Sequence, residues 1–284
     1  MASLSWRDGI APPQLLYIDD TTAAHHIHCM HKHNRILEIL LIQKGHGVYC
    51  VEDERYLIES GDIIICNAGS IHDQIPSEEE PYITSCIGLT DLQLPGLPPN
   101  CLIAPHSPSL FHHPAQFQEL CALTALIRSH VKNACYSESD RLLTDHLTIC
   151  LLEQVTQMIT LWPRRLPQRD EPLVRQIKAY IDEHYADDLS LAQLSTLFYI
   201  SPYHLSHLFK KHFEYPLMQY VIRRRIGEAQ SLLMSTRASI TAVAARTGFA
   251  DTSHFSKLFV KYVGMSPSEY RKYRSEKVPE LAES

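Results

Sequence analysis

Residues 240–271, ITAVAARTGFADTSHFSKLFVKYVGMSPSEYR, decide how the second half of the chain folds. Ile240, Val243 and Ala244 fall at i, i+3 and i+4, which predicts a short helix with one apolar stripe. Gly248 follows as a residue able to take the left-handed backbone of a tight inter-helix turn. Asp251 or Thr252 then caps a new helix whose buried back is Phe255, Leu258, Phe259 and Tyr262. Thr252, Ser253, His254, Ser256, Lys257 and Lys261 are left to face outward. Hydrogen-bonding and basic groups on a helix with an anchored back are what reading a DNA major groove requires.

The same grammar occurs about fifty residues earlier. Leu189, Leu191, Leu194 and Leu197 predict a supporting helix capped by Ser190. Ser201 and Pro202 then open a second helix, with proline at the position where a missing N–H costs nothing. Leu205, Leu208 and Phe209 bury that helix, and Tyr203, His204, Ser206, His207, Lys210 and Lys211 face outward with the Ser201 cap. Between the copies, Pro216 to Met234 has helical periodicity and carries Arg223-Arg224-Arg225, expected to hold phosphates. Such a segment forms a rod of about 28 Å. Successive major-groove faces on one side of B-DNA lie about 34 Å apart, so the rod suits two reading helices one turn apart.

From about Leu173 to Arg274 the chain resembles the DNA-binding region of the AraC/XylS family of bacterial transcription regulators. The resemblance implies seven helices, with those beginning near Ser201 and Asp251 as groove readers. Glu214 stands where the family usually has glycine, and Ser195 where it usually has alanine. The first unit is therefore expected to read bases less strictly than the second. The family analogy also implies double-stranded DNA and RNA polymerase as partners, with activation favoured over repression.

The charge distribution agrees with a basic module fused to an acidic one. The whole chain is formally −6, but residues 1–170 carry 11 basic and 20 acidic side chains, whereas residues 171–275 carry 14 and 9. Phosphate contacts are expected on the C-terminal side only. The eight cysteines stand singly, without a CxxC pair, and read as reduced thiols of a cytoplasmic protein. Neither a secretory leader nor a membrane span is expected.

From Leu15 to about Ile103 the texture changes to short β-favouring runs, among them Ile36–Ile42, Gly47–Val51, Arg55–Ile58, Asp62–Cys66 and Tyr82–Leu89. Many short strands with hairpin-like spacing favour a sandwich or barrel. Within them, His31-x-His33-x4-Glu38-x6-Gly45 is followed by Gly61-x5-Asn67-x-Gly69-x2-His72. This spacing resembles the paired motifs of the cupin barrel, whose three metal-binding histidines and one glutamate all have counterparts here. Asn67 and Pro76 depart from the cupin pattern at positions that shape turn and pocket. On a strand, His31 and His33 share one face. Three imidazoles and a carboxylate suit a divalent transition metal, and AraC-type sensors place an organic effector in the same pocket. His25, His26 and His28 read as a His-rich segment ahead of the barrel.

Pro114–Asn133 and Ser137–Leu161 both show helical spacing. Leu143, Leu147, Leu151, Val155 and Met158 form a heptad-like stripe that serves either as a homodimer seam or as a cover for the barrel. The expected architecture is α+β: a cupin-like sensor and dimerisation domain over 1–162 ends in two helices. A linker over 163–171 leads to an all-α tandem helix-turn-helix domain over 172–275, with a tail over 276–284. The expected function is sequence-specific transcription regulation, without catalytic residues. A small effector, such as a sugar, would be bound by His31, His33, Glu38 and His72. The competing reading is a metal-dependent cupin enzyme, or a metal sensor, fused to a DNA-binding domain, with the same four residues as ligands.

Overall fold

A computed structural model describes residues 12–22, 30–52, 54–76, 83–131, 138–161, 172–213 and 216–277. The linker, the segment containing His25, His26 and His28, and Glu214 lie outside these residues. The fold is α+β. Five strands form one antiparallel sheet in the order β1 (Gln14–Thr22), β7 (Ile83–Thr90), β2 (Leu37–Lys44), β5 (Asp62–Cys66), β8 (Leu110–His112). Three more form a second sheet, β4 (Glu54–Glu59), β3 (His46–Val51) and β6 (His72–Pro76).

Strand β2 reads LEILLIQK because both of its faces are covered. Leu37, Ile39 and Leu41 pack under α1 (Pro114–Val131) and α2 (Glu138–Leu161) with Phe117, Leu120, Leu151 and Val155. Leu40 and Ile42 point the other way, into a core shared with Tyr49, Val51, Tyr56 and Ile58 of the second sheet. Glu38 has the parity of Leu40, which aims a carboxylate into the space between the sheets. Strand β8 extends past the region where strands are predicted; three residues are too few to show an alternation.

The heptad-like stripe of α2 is mostly taken up inside its own chain. Leu151, Val155 and Met158 are buried in the barrel-facing core, and Leu147 packs beside them. Of the two roles left open by the sequence, these residues serve as a cover. Leu142 and Leu143 remain on the exposed side of α2, with Leu126 on that of α1.

Among the described residues seven helices follow, the number the family resemblance implies: α3 (Pro172–His184), α4 (Leu191–Leu197), α5 (Pro202–Phe213), α6 (Leu217–Ser235), α7 (Ile240–Arg246), α8 (Thr252–Val263) and α9 (Pro267–Lys277). They enclose two small cores strung along α6. One gathers Leu194, Leu205, Phe209 and Tyr220; the other Ile226, Val243, Phe255 and Phe259. No helix among the described residues is long and apolar enough to cross a membrane.

Candidate nucleic-acid interface and sensor pocket

Side chains start the helices of both units. Ser190 and Gln193 cap α4 reciprocally, and the Ser201 hydroxyl accepts from the His204 amide at 3.2 Å at the start of α5. Asp251, rather than Thr252, caps α8, accepting from the Ser253 and His254 amides at 2.9 and 3.2 Å. The carboxylate both satisfies helix N–H groups and suits the positive end of the helix dipole. With Leu205, Leu208 and Phe209 buried, α5 presents Tyr203, His204, His207, Lys210 and Lys211 to solvent. With Phe255 and Phe259 buried, α8 presents Ser253, His254, Lys257 and Lys261. Ser206, Thr252 and Ser256 are half-buried at the edges of these faces, and the Ser256 hydroxyl is donated to the Thr252 carbonyl.

The two turns differ. In the second, Gly248 has φ +83°, and a Cβ there would stand 2.6 Å from the Ala186 carbonyl oxygen. Gly248→Ala is therefore expected to cost about 2 kcal/mol, from a left-handed backbone and a forced shift of that loop. A thermal or urea unfolding midpoint equal to wild type would contradict this. In the first turn the corresponding left-handed residue is Tyr199, at φ +54° and 95% exposed. Sequence reasoning misses it, because its signal is an aromatic where the second copy has glycine. Ser195 has its own use: its hydroxyl is donated to the Ile200 carbonyl across the turn.

The arginine triplet is a correction. Arg223 makes a two-pronged contact with Asp73 of the barrel, at 2.6 and 3.1 Å. Arg224 is buried against Glu228 at 3.1 Å and over the Tyr185 ring. Arg225 donates to the carbonyls of Tyr185, Gly248 and Asp187 at 2.7, 2.9 and 2.7 Å. Side chains on consecutive helical residues point about 100° apart, so three in a row cannot share a phosphate-facing side. All three brace the protein internally.

The barrel brings His31, His33, Glu38 and His72 together as their spacing predicts. One donor atom from each lies within 4.8 Å of the others, and all four residues are buried. His31 and His72 face each other across an isolated antiparallel bridge, with N···O distances of 3.0 and 2.9 Å. Nε2 of His72 stands 2.8 Å from Glu38 Oε2, and Nε2 of His33 stands 3.5 Å from Oε1. Burial alone would raise the Glu38 pKa, but the surrounding imidazoles, His33 foremost, hold it well below the usual carboxylate range. Burial works against a charged His72, yet its Glu38 contact leaves the pKa raised.

The residues fit a divalent ion. Nδ1 of His72 meets the Ser70 carbonyl at 3.0 Å, which favours a protonated Nδ1 and leaves Nε2 as a lone-pair donor. That Nε2 faces Glu38 Oε2 at 2.8 Å. A lone pair held against a carboxylate calls for a proton or a metal cation between them. Three further groups, missed by sequence reasoning, complete the pocket. The Tyr17 hydroxyl donates to Glu38, the Cys86 thiol lies 3.5 Å from the same oxygen, and the Tyr49 ring stacks on His72. Gly88, opposite Glu38 in the ladder, makes room for Tyr17: a Cβ there would lie 2.3 Å from the tyrosine ring. A glycine inside a strand is the available signal.

Comparison with known proteins matches both halves. Residues 12–152 fit the family model described as an AraC-like ligand binding domain, and residues 194–273 fit a helix-turn-helix domain. The HTH-type transcriptional regulator YdiP of Escherichia coli is 26% identical, over 85% of this chain and 80% of its own length. The HTH-type transcriptional activator RhaS of an Enterobacter species is 27% identical, over 85% and 87%. The arabinose operon regulatory protein of Escherichia coli is 36% identical, over 48% of this chain and only 47% of its own length.

Proposed function

The chain belongs to the AraC family of DNA-binding transcription regulators with an N-terminal ligand-binding domain, and from that premise we propose that it activates transcription in response to a small molecule held between its two sheets. The observation that carries the reading is the pair of capped helices, α5 and α8, set along one α6 strut with polar and basic faces outward. Tyr203, His204, His207, Ser253, His254 and Lys257 address base edges; Lys210, Lys211 and Lys261 hold phosphates. Residues 1–162 are the sensor, 163–171 the linker and 172–275 the reader. RNA polymerase is the partner of an activator. A homodimer forms through the exposed side of α1 and α2, where Leu126, Leu142 and Leu143 stand.

The name of the RhaS relative supports activation, and that of the arabinose operon regulator supports a sugar or another carbon-source metabolite as effector. His31, His33, Glu38 and His72 line its site. The convergence of these four donors favours a second reading of the sensor, in which a metal ion is bound, as ligand or alongside a metabolite. A ligand acts only by binding one arrangement of sensor and reader more tightly than another.

Footprinting on DNA upstream of the chain's own coding region and its neighbours tests the proposal. Two protected stretches, one helical turn apart, are expected. An unprotected promoter set would overturn it. His31→Ala and His72→Ala are expected to keep the footprint seen without effector and to lose the effector-dependent change in it. A normal response from both variants would remove this pocket from the mechanism.

A further inference from the structure

The two stretches that carry the histidines are also the stretches that touch the reader. Along residues 30–33 the side chains alternate. His31 and His33 turn into the pocket, while Met30 enters the helical core with Val174, Ile177, Leu205 and Val221. The Lys32 carbonyl accepts from the Ser231 hydroxyl at 2.8 Å. Strand β6 repeats the arrangement: His72 joins the pocket, and Asp73 holds Arg223. Ile71 and Ile75, on either side of that pair, pack against the same helical core.

On α6 the receiving residues are Arg223, Gly227 and Ser231, spaced i, i+4 and i+8 along one stripe. Gly227 is the centre of it. A glycine inside a helix costs about 1 kcal/mol relative to alanine, so its place needs a reason. A Cβ at that position would lie 1.5 Å from the Met30 carbonyl oxygen. The bare helix surface is what lets the sensor backbone lie against α6.

We propose that residues 30–33 and strand β6 form a two-sided coupler: a divalent transition ion held by His31, His33, Glu38 and His72 tightens the docking of the sensor on α6, and undocking loosens the ion. This names a ligand class and a route for the sensor reading above, and rests on it. The physical basis is that the backbones placing His31, His33 and His72 are fixed from outside by Gly227, Ser231 and Arg223. Drawing the imidazoles onto one ion restricts the same backbones from inside. Two constraints on one segment support each other, and by linkage each ligand strengthens the other's hold equally.

The test is a Co²⁺ titration of untagged, chelator-stripped full-length protein, followed by its visible d–d absorption and by amide exchange along 217–235. Wild type is expected to take up one Co²⁺ and to slow exchange in α6 on binding. Gly227→Ala lies outside the pocket and outside the proposed DNA face, and improves helix propensity. It is expected to bind Co²⁺ about tenfold more weakly, in line with usual coupling strengths, and to show no Co²⁺-dependent protection of α6. Asp73→Asn, which removes the charge without adding bulk, is expected to shift both readouts in the same direction. It carries the comparison should Gly227→Ala fail to fold. Absence of Co²⁺ uptake by wild type, equal affinity in wild type and variant, or α6 exchange indifferent to Co²⁺ would each overturn the coupler. An unprotected promoter would instead defeat the regulator reading, leaving these measurements intact.

Discussion

Arg225→Ala is expected to destabilise the helical half by about 2–3 kcal/mol, the scale set by charge-assisted hydrogen bonds to two half-buried carbonyls and one exposed one. The guanidinium spans three backbone carbonyls from two separate connections. Two belong to the α3–α4 connection, at Tyr185 and Asp187; the third is Gly248, in the turn between α7 and α8. The same junction holds the close approach of Gly248 to Ala186. One side chain thus fastens the loop of the first helix-turn-helix unit to the turn of the second, and its loss removes a donor from the Tyr185 and Gly248 carbonyls, while the exposed Asp187 carbonyl keeps the Leu189 amide. Arg225→Lys should recover only part of the deficit, since an ammonium cannot match a planar fork. Urea unfolding followed by far-UV circular dichroism reads the effect. Were Arg225 a phosphate ligand, the midpoint would stay put and the salt dependence of DNA binding would fall by about one counterion.

Arg225 also marks where local sequence pattern stops being informative. The reading helices are legible in the residues because their signals are local: Ser190, Ser201 and Asp251 as caps, Gly248 as the turn, Phe255 and Phe259 as the buried back. The arginine run is not. A cluster of positive charge in a DNA-binding half suggests phosphates, but its helical phase sends Arg223 to the barrel, Arg224 into a buried ion pair and Arg225 to carbonyls of distant loops. Those partners lie from 4 to 150 residues away in the chain. Local periodicity reaches the i+4 partner of Arg224, Glu228, and contains no information about the others.

The pocket shows the same division. Spacing picks out His31, His33, Glu38 and His72, because strand alternation and paired hairpins bring them to one place. Cys86 lies on β7 beside β2 and Tyr17 on β1 beyond it, so both reach Glu38 only after the sheet order β1-β7-β2-β5-β8 is formed. Gly227 has no visible purpose in α6 taken alone. Its function exists only where the sensor backbone meets the helix. The α2 stripe is the converse case: a heptad-like pattern reports that a helix face is buried, without stating whether a partner chain or its own barrel buries it.

The largest loss of function is expected from the double substitution His254→Ala with Lys257→Ala. Both side chains stand exposed on the first turns of α8, the end that enters a major groove in helix-turn-helix docking. Neither is part of the core built on Phe255 and Phe259, which His254 meets only through a ring-edge contact with Phe249 at 6.3 Å between centroids. Each is expected to contribute about 1–3 kcal/mol to a specific site, so the pair should weaken operator binding by roughly two to four orders of magnitude. Stability should stay within about 0.5 kcal/mol of wild type, as for surface substitutions. Because Asp251 still caps the helix through the backbone amides of residues 253 and 254, the fold of α8 is kept. The equivalent pair in α5, His204→Ala with His207→Ala, should cost less. Its turn carries Tyr199 in a left-handed conformation instead of glycine, and Glu214 and Ser195 depart from the family pattern around it. Measuring both pairs on one operator by fluorescence anisotropy gives the ordering. Equal losses from the two helices would mean that both units read bases alike. Unchanged binding by the α8 pair would mean that this helix lies outside the groove.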